Sequence, residues 1–199
     1  MKLVKVIGVV LVALVLFSCA PKLAQKDLDA ANAAFTEAQN VKADVYAATE
    51  FQAAQDAKAA LEAELAAQEA KTSGKDYKKA NELIKAFADA SKKAQDAAAA
   101  GMEAAKNEVA QMVTDVDTLY ASVQALAQAA SKDAKKAAKA KLNVKDINAK
   151  VEAYGQTIAD AKAANDAQDY AASKEKLTAV KADLEALKAS LEAAGFVAQ

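Results

Sequence analysis

The sequence predicts an all-α fold of elongated antiparallel helical hairpins, packed as a coiled-coil-like bundle, with the hairpin present twice. Three observations carry that expectation. Helix breakers are scarce, with 5 glycines and 1 proline in 199 residues. The 54% hydrophobic content is mostly alanine, roughly three residues in ten, the strongest helix former of all. The large apolar residues recur at three- and four-residue steps, most sharply as Tyr170, Leu177, Leu184 and Leu191 in one column and Ser173, Val180, Leu187 and Ala194 in the next. Alanine buries about one methyl group, so the core is expected to be thin and the stability modest. The same composition also fits a partly disordered, stress-type chain, which makes the position of each large side chain the deciding matter.

Residues 1–18 read as an export signal. Lys2 and Lys5 precede an uncharged apolar run from Val6 to Phe17, about 12 residues and short of the roughly 20 that span a bilayer. The run ends Leu16-Phe17-Ser18-Cys19, with a small residue, Ser18, before the chain's one cysteine. This junction resembles the lipobox of bacterial lipoproteins, although that family prefers a small residue where Phe17 stands. The resemblance implies cleavage between Ser18 and Cys19, a diacylglyceryl group on the Cys19 sulfur, and a lipid-anchored envelope protein. Ala20 rather than Asp after the cysteine implies, under the sorting rule of some diderm bacteria, the outer membrane facing the periplasm. The competing readings are an ordinary secretory signal cleaved near Ala20 and an uncleaved N-terminal anchor.

Residues 19–44 then read as a tether and first helix. Pro21 belongs to the tether, a helix starts between Lys22 and Asp27 and runs to about Asn40, and Leu28 and Phe35 lie one heptad apart. Val41, Val45 and Tyr46 fall in a bend between Asn40 and Thr49. A first hairpin occupies 45–100. Its outgoing helix carries Phe51, Ala54, Leu61 and Leu65, with Lys58 laying its stem along the seam. The turn Thr72-Ser73-Gly74-Lys75-Asp76 offers Gly74 for a left-handed cap and Asp76 as N-cap. Tyr77, Ala80, Ile84, Phe87, Ser91, Ala94 and Ala98 mark the returning helix.

Residues 101–142 read as a long connecting helix, with Gly101 marking a bend or a close crossing. Its stripe is Ala105, Val109, Met112, Val116, Leu119, Val123 and Leu126; an alternative is one continuous helix from Asp76 to about Lys141. A second hairpin fills 143–199, with Asn143 as N-cap, Ile147, Val151, Tyr154 and Ile158 on the apolar face, and a turn at Asn165–Asp169. Gly195 closes the last helix, with Phe196 or Val197 folding back.

The two hairpins align at an offset of about 93 residues. Asp76-Tyr77 falls on Asp169-Tyr170, Ile84 on Leu177, Phe87 on Val180, Ser91 on Leu184, Ala54 on Ile147 and Leu65 on Ile158, with turns of equal length expected. The Asp-Tyr opening after a short turn resembles tetratricopeptide-type hairpins. It is more similar still to an uncharacterised alanine-rich hairpin domain of bacterial envelope lipoproteins, which has a Tyr-Ala stretch (here Tyr46-Ala47-Ala48) before its first helix. That resemblance implies an envelope location and helical pairing, and no known chemistry.

Chemistry is excluded largely by what side chains are missing. With no histidine, no arginine and one cysteine, a nucleophile-and-base pair and the usual zinc or transition-metal sites have no ligands, and no cofactor or enzymatic activity is expected. Removing Lys2 and Lys5 takes the 26 basic residues to 24 against 27 acidic ones, which argues against nucleic acid as a partner. Asp115 and Asp117 stand two apart, on different faces of a helix. No glycine-rich loop is present to hold phosphate. Lys132, Lys135, Lys136 and Lys139, followed by Lys141 and Lys145, line up at helical spacing, either as a solvated helix end or as a contact for anionic headgroups or cell-wall polymer. Tyr46, Phe51, Tyr77, Tyr154 and Tyr170 read as plugs of the thin core, with carbohydrate stacking as the alternative. The functional expectation is a lipid-anchored helical spacer or scaffold for envelope proteins or cell-wall polymer. The alternative is a protein whose amphipathic helices open onto membrane lipid or anionic polymer. The chain ends Val197-Ala198-Gln199, without the terminal lysine of murein-linked lipoproteins, and the heptad columns of the last helix leave a homo-oligomer open.

Overall fold

A computed structural model describes residues 21–198; Ser18 and Cys19 lie outside them. Among the described residues there are seven helices and no strand, so the chain is all-α: α1 (Gln25–Asn40), α2 (Ala43–Tyr46), α3 (Ala48–Glu69), α4 (Lys78–Lys132), α5 (Ala134–Lys139), α6 (Val144–Asp166) and α7 (Tyr170–Ala193). They form two compact units that divide between Ala98 and Ala99. The first contains α1 to α3 and the beginning of α4; the second contains the rest of α4 and α5 to α7. Residues 101–142, suggested by sequence as a connector, therefore fall inside the second unit.

The first unit is three long helices around one core. Ala31, Phe35 and Ala38 come from α1, Phe51, Ala54 and Leu61 from α3, and Ala80, Ile84, Phe87, Ala94 and Ala98 from α4. One phenylalanine per helix fills the space that alanine leaves: the Phe35 and Phe51 rings stack at 5.3 Å, and Phe87 meets Phe35 at 5.5 Å. Lys58 follows the expected seam, its ammonium 5.3 Å from the Phe35 ring centroid. Hydrogen bonds fix the directions. Gln95 on α4 donates to the Ala34 carbonyl on α1, whereas Glu64 near the end of α3 meets Lys79 at the start of α4, at 2.9 Å. Thus α1 runs parallel to α4 and α3 antiparallel to it.

The second unit repeats this plan. Here α4 takes the place of α1, with Val109, Val116, Val123 and Ala130 buried. Helix α6 runs antiparallel to it, as the pairs Tyr120–Val151 and Asp117–Lys162 show, and α7 runs parallel, as Glu108–Lys174 shows. Both expected columns of α7 face inward within the chain, from Tyr170 at 8% exposure to Leu177, Leu184 and Leu191 at 0%; only the last position, Ala194, is half-buried. The short helices α2 and α5 occupy equivalent joints. The duplication is therefore of a three-helix unit, wider than a hairpin: an offset of 92 sets Ala31 on Val123, Phe35 on Ala127 and Ala38 on Ala130, all buried.

Helix ends follow local chemistry. Asn143 caps α6, accepting from the Lys145 and Asp146 amides, and Asp169 caps α7 through the Ala172 amide. Gly195, at φ 81°, closes α7 in a Schellman arrangement in which Phe196 N donates to Leu191 O at 3.1 Å and Gly195 N to Glu192 O at 2.8 Å. Phe196 is the residue that folds back, while Val197 stays 66% exposed.

Four details depart from the sequence expectations. Gly101 does not begin a separate helix: α4 stays helical through it, beside the boundary between the units. Helix α4 stops at Lys132 rather than Lys141, because Asp133 leaves helical geometry and its carboxylate caps the Lys136 amide. Gly74 is left-handed (φ 68°) but lies mid-turn, beyond the αR cap residue Ala70. The turns are unequal: residues 70–77 separate α3 from α4, whereas only 167–169 separate α6 from α7. Gln168 takes the left-handed position there (φ 59°), with Asp169 N on Ala164 O, which lets the chain reverse in three residues.

Candidate functional site

Two places collect the residues to which the sequence assigned contacts: the start of the described chain, next to Cys19, and the lysine corner around α5.

At the start, the chain is gripped at once. The Pro21 carbonyl accepts from the Tyr77 amide at 3.3 Å. Asn81, one turn into α4, then bonds the backbone twice: its Nδ2 donates to Lys22 O at 2.8 Å and its Oδ1 accepts from Ala24 N at 2.9 Å. A side-chain amide is suited to this because it carries a donor and an acceptor at one end. Pro21 is tied to the body of the first unit rather than lying in a free tether. Beside this clamp, the α3–α4 turn is laced by Gln68, which accepts from the Asp76 amide at 3.0 Å and from Lys71 at 2.9 Å, and donates to Glu64 at 2.7 Å. The hydrogen bonds from Gln68 and Lys79 hold the Glu64 carboxyl below its usual range. Asp76 accepts from the Lys78 amide but lies one residue before the N-cap position, which falls on Tyr77, whose carbonyl takes the first helical bond from Asn81 N.

At the lysine corner, the break at Asp133 separates Lys132 from the α5 lysines, so the four do not share one helix face. Lys132, Lys135 and Lys139 are exposed. Lys136 is exposed as well, but its side chain reaches back to the end of α7. Its ammonium donates to the Gly195 carbonyl at 2.6 Å and lies 4.7 Å from the Phe196 ring centroid. It places a positive charge on the C-terminal end of α7, where the helix dipole favours one, and covers the residue that folds back. Sequence spacing could not reveal this, since 59 residues separate the partners.

No protein-family model, curated protein or solved structure matches this chain.

The other candidates resolve into structural roles. Asp117 pairs with Lys162 on α6 at 2.7 Å, while Asp115 accepts from Gln111 on its own helix. Among the described residues no group of three or more acidic, cysteine or histidine side chains is placed to hold a metal ion, and no helix is long and apolar enough to cross a membrane. Phe51 and Tyr170 are buried, and Tyr46, Tyr77 and Tyr154 are half-buried. Tyr154 borders a shallow cleft with Lys150, Asp183 and Ser190, and burial, followed by the Asp183 charge, raises its phenol pKa. Nothing in the residue pattern marked Tyr120, whose hydroxyl donates to the Val151 carbonyl at 3.1 Å. It reaches that carbonyl because Gly155 has no side chain; a Cβ there would lie 2.5 Å from the hydroxyl oxygen.

Proposed function

We propose that this chain is a lipid-anchored envelope protein acting as a non-enzymatic helical spacer or interaction module. The observation that carries the reading is the junction Leu16-Phe17-Ser18-Cys19 after a basic start and a short apolar run. The fold supports it in two ways. Among the described residues the large apolar side chains other than Val45 and Val197 are used up in making two small bundles, so the protein's anchorage is assigned to the lipid on Cys19. The long faces left outside are alanine, lysine and acidic residues, suited to polar contacts with partner proteins or cell-wall polymer. Each buried methylene of an acyl chain adds about 0.8 kcal/mol, so two or three chains make attachment effectively permanent.

The test is Cys19→Ala in the producing cell. The reading expects the variant to keep its helical circular dichroism yet move from the membrane fraction to the soluble fraction, with loss of incorporated labelled fatty acid. Retention in the membrane with unchanged labelling would defeat it.

A further inference from the structure

Which part of the first unit lies against the bilayer follows from the clamp on Pro21, given the lipid anchor proposed above. Only Ala20 separates Cys19 from Pro21, so their Cα atoms are within about 7 Å. Pro21 and Lys22 are bonded directly to Tyr77 and Asn81 at the start of α4. A lipid on Cys19 therefore brings that end of the unit down to a headgroup layer that is itself only about 6 Å deep. We propose that this end, built from the α3–α4 turn and the first turn of α4, is a docking surface for anionic phospholipid headgroups.

The charges agree with the geometry. Lys22, Lys71, Lys75 and Lys78 are exposed there. In the turn and first helical turn themselves, residues 70–81, Lys71, Lys75, Lys78 and Lys79 stand against the single acid Asp76, which accepts from the Lys78 amide. Glu64, paired with Lys79, and the exposed Glu69 and Glu82 flank that surface. The opposite end of the same unit, the joint between α1 and α3, has the reverse balance, with Glu37, Asp44 and Glu50 against Lys42. A cationic end at the anchor and an acidic end away from it is the arrangement an anionic surface selects. The 22 residues of α3 hold the two ends about 33 Å apart, so the bundle stands up from the surface.

The test uses the full, lipidated chain in vesicles of phosphatidylethanolamine and phosphatidylglycerol that contain headgroup-nitroxide lipid. With the Cys19 thiol blocked by its lipid, Lys75→Cys and Val45→Cys each accept one fluorophore. Quenching is expected to be several-fold stronger at position 75 than at 45; equal quenching, or the reverse order, overturns the docking surface. With the fluorophore moved to Thr72→Cys, adding Lys75→Glu and Lys78→Glu should lower quenching at least twofold, and only when phosphatidylglycerol is present. No change overturns the part played by charge. The intact mass of the same preparations separates the two levels: a protein with no lipid on Cys19 and no quenching at either site removes the anchor itself, whereas a lipidated protein with the wrong pattern removes this inference alone.

Discussion

The two units run their helices in the same directions and bury equivalent positions, yet they fill the space differently. At matching positions the first unit has Ile84, Phe87, Ser91 and Ala94 where the second has Leu177, Val180, Leu184 and Leu187, all buried. The first concentrates its volume in three phenyl rings, with Leu61 and Ile84, among alanines and a serine. The second spreads it over aliphatic side chains of middling size. A helical frame of this kind constrains total volume and pattern more tightly than the identity of any one residue.

The comparison sharpens most at its widest point. Phe87→Ala removes one third of an aromatic cluster whose neighbours are mostly alanine and cannot collapse into the gap, so a loss of about 3–5 kcal/mol is expected. Val180→Ala, at the aligned position, should cost about 2 kcal/mol, since only two methyl groups leave a core of adaptable side chains. Urea melts of the two variants would measure this; equal losses would mean that the rings do not carry the first unit.

A smaller effect tests the contact that has no counterpart in the first unit. Gly155→Ala gains helix propensity worth about 1 kcal/mol but meets the Tyr120 hydroxyl. It is expected to destabilise the parent and to cost less in a Tyr120→Phe background, where the oxygen at 2.5 Å is gone and only the ring carbon at 3.2 Å remains. Additive behaviour in the double mutant would show that the hydroxyl does not dock on α6. Ser173 offers the next contrast. It is fully buried, its hydroxyl has no hydrogen-bond partner among the described residues, and the aligned residue is Ala80. Ser173→Ala should therefore stabilise by about 1 kcal/mol, as read from the melting midpoint.

The smallest effect lies at the end of α3. Glu64 has its pKa lowered by Gln68 and Lys79, so the folded state holds its proton less tightly than the unfolded state. Its contribution is full above the ordinary glutamate pKa of about 4.3 and is lost as pH falls through the lower folded value. Thr157 stands at the aligned position and does not titrate. Between pH 5 and pH 3 the wild type should lose slightly more stability than Glu64→Gln, and identical acid profiles would exclude the carboxylate.

Much of this fold was legible in the sequence because its signals are local. Asn143, Asp169 and Gly195 announce helix ends through their own side chains or their lack of one, and Ile84, Phe87, Leu177 and Leu184 announce burial by spacing. What escaped is non-local or has no residue signature. The left-handed positions Lys42, Lys141 and Gln168 carry residues with no preference for that geometry. The third helix of the repeat was hidden because the register slips from 93 to 92 across a joint and most of the aligned residues are alanine. At the candidate sites, Asn81 and Lys136 act on backbone carbonyls 59 residues away, which no helical spacing encodes.

Everything proposed for this chain depends on Cys19. Its most direct test is the mass of the N-terminal peptide of the mature protein recovered from the producing cell's envelope. A peptide beginning at Cys19 and carrying a diacylglyceryl group is the expected result; a peptide beginning at Met1, or at Ala20 or beyond, would contradict it.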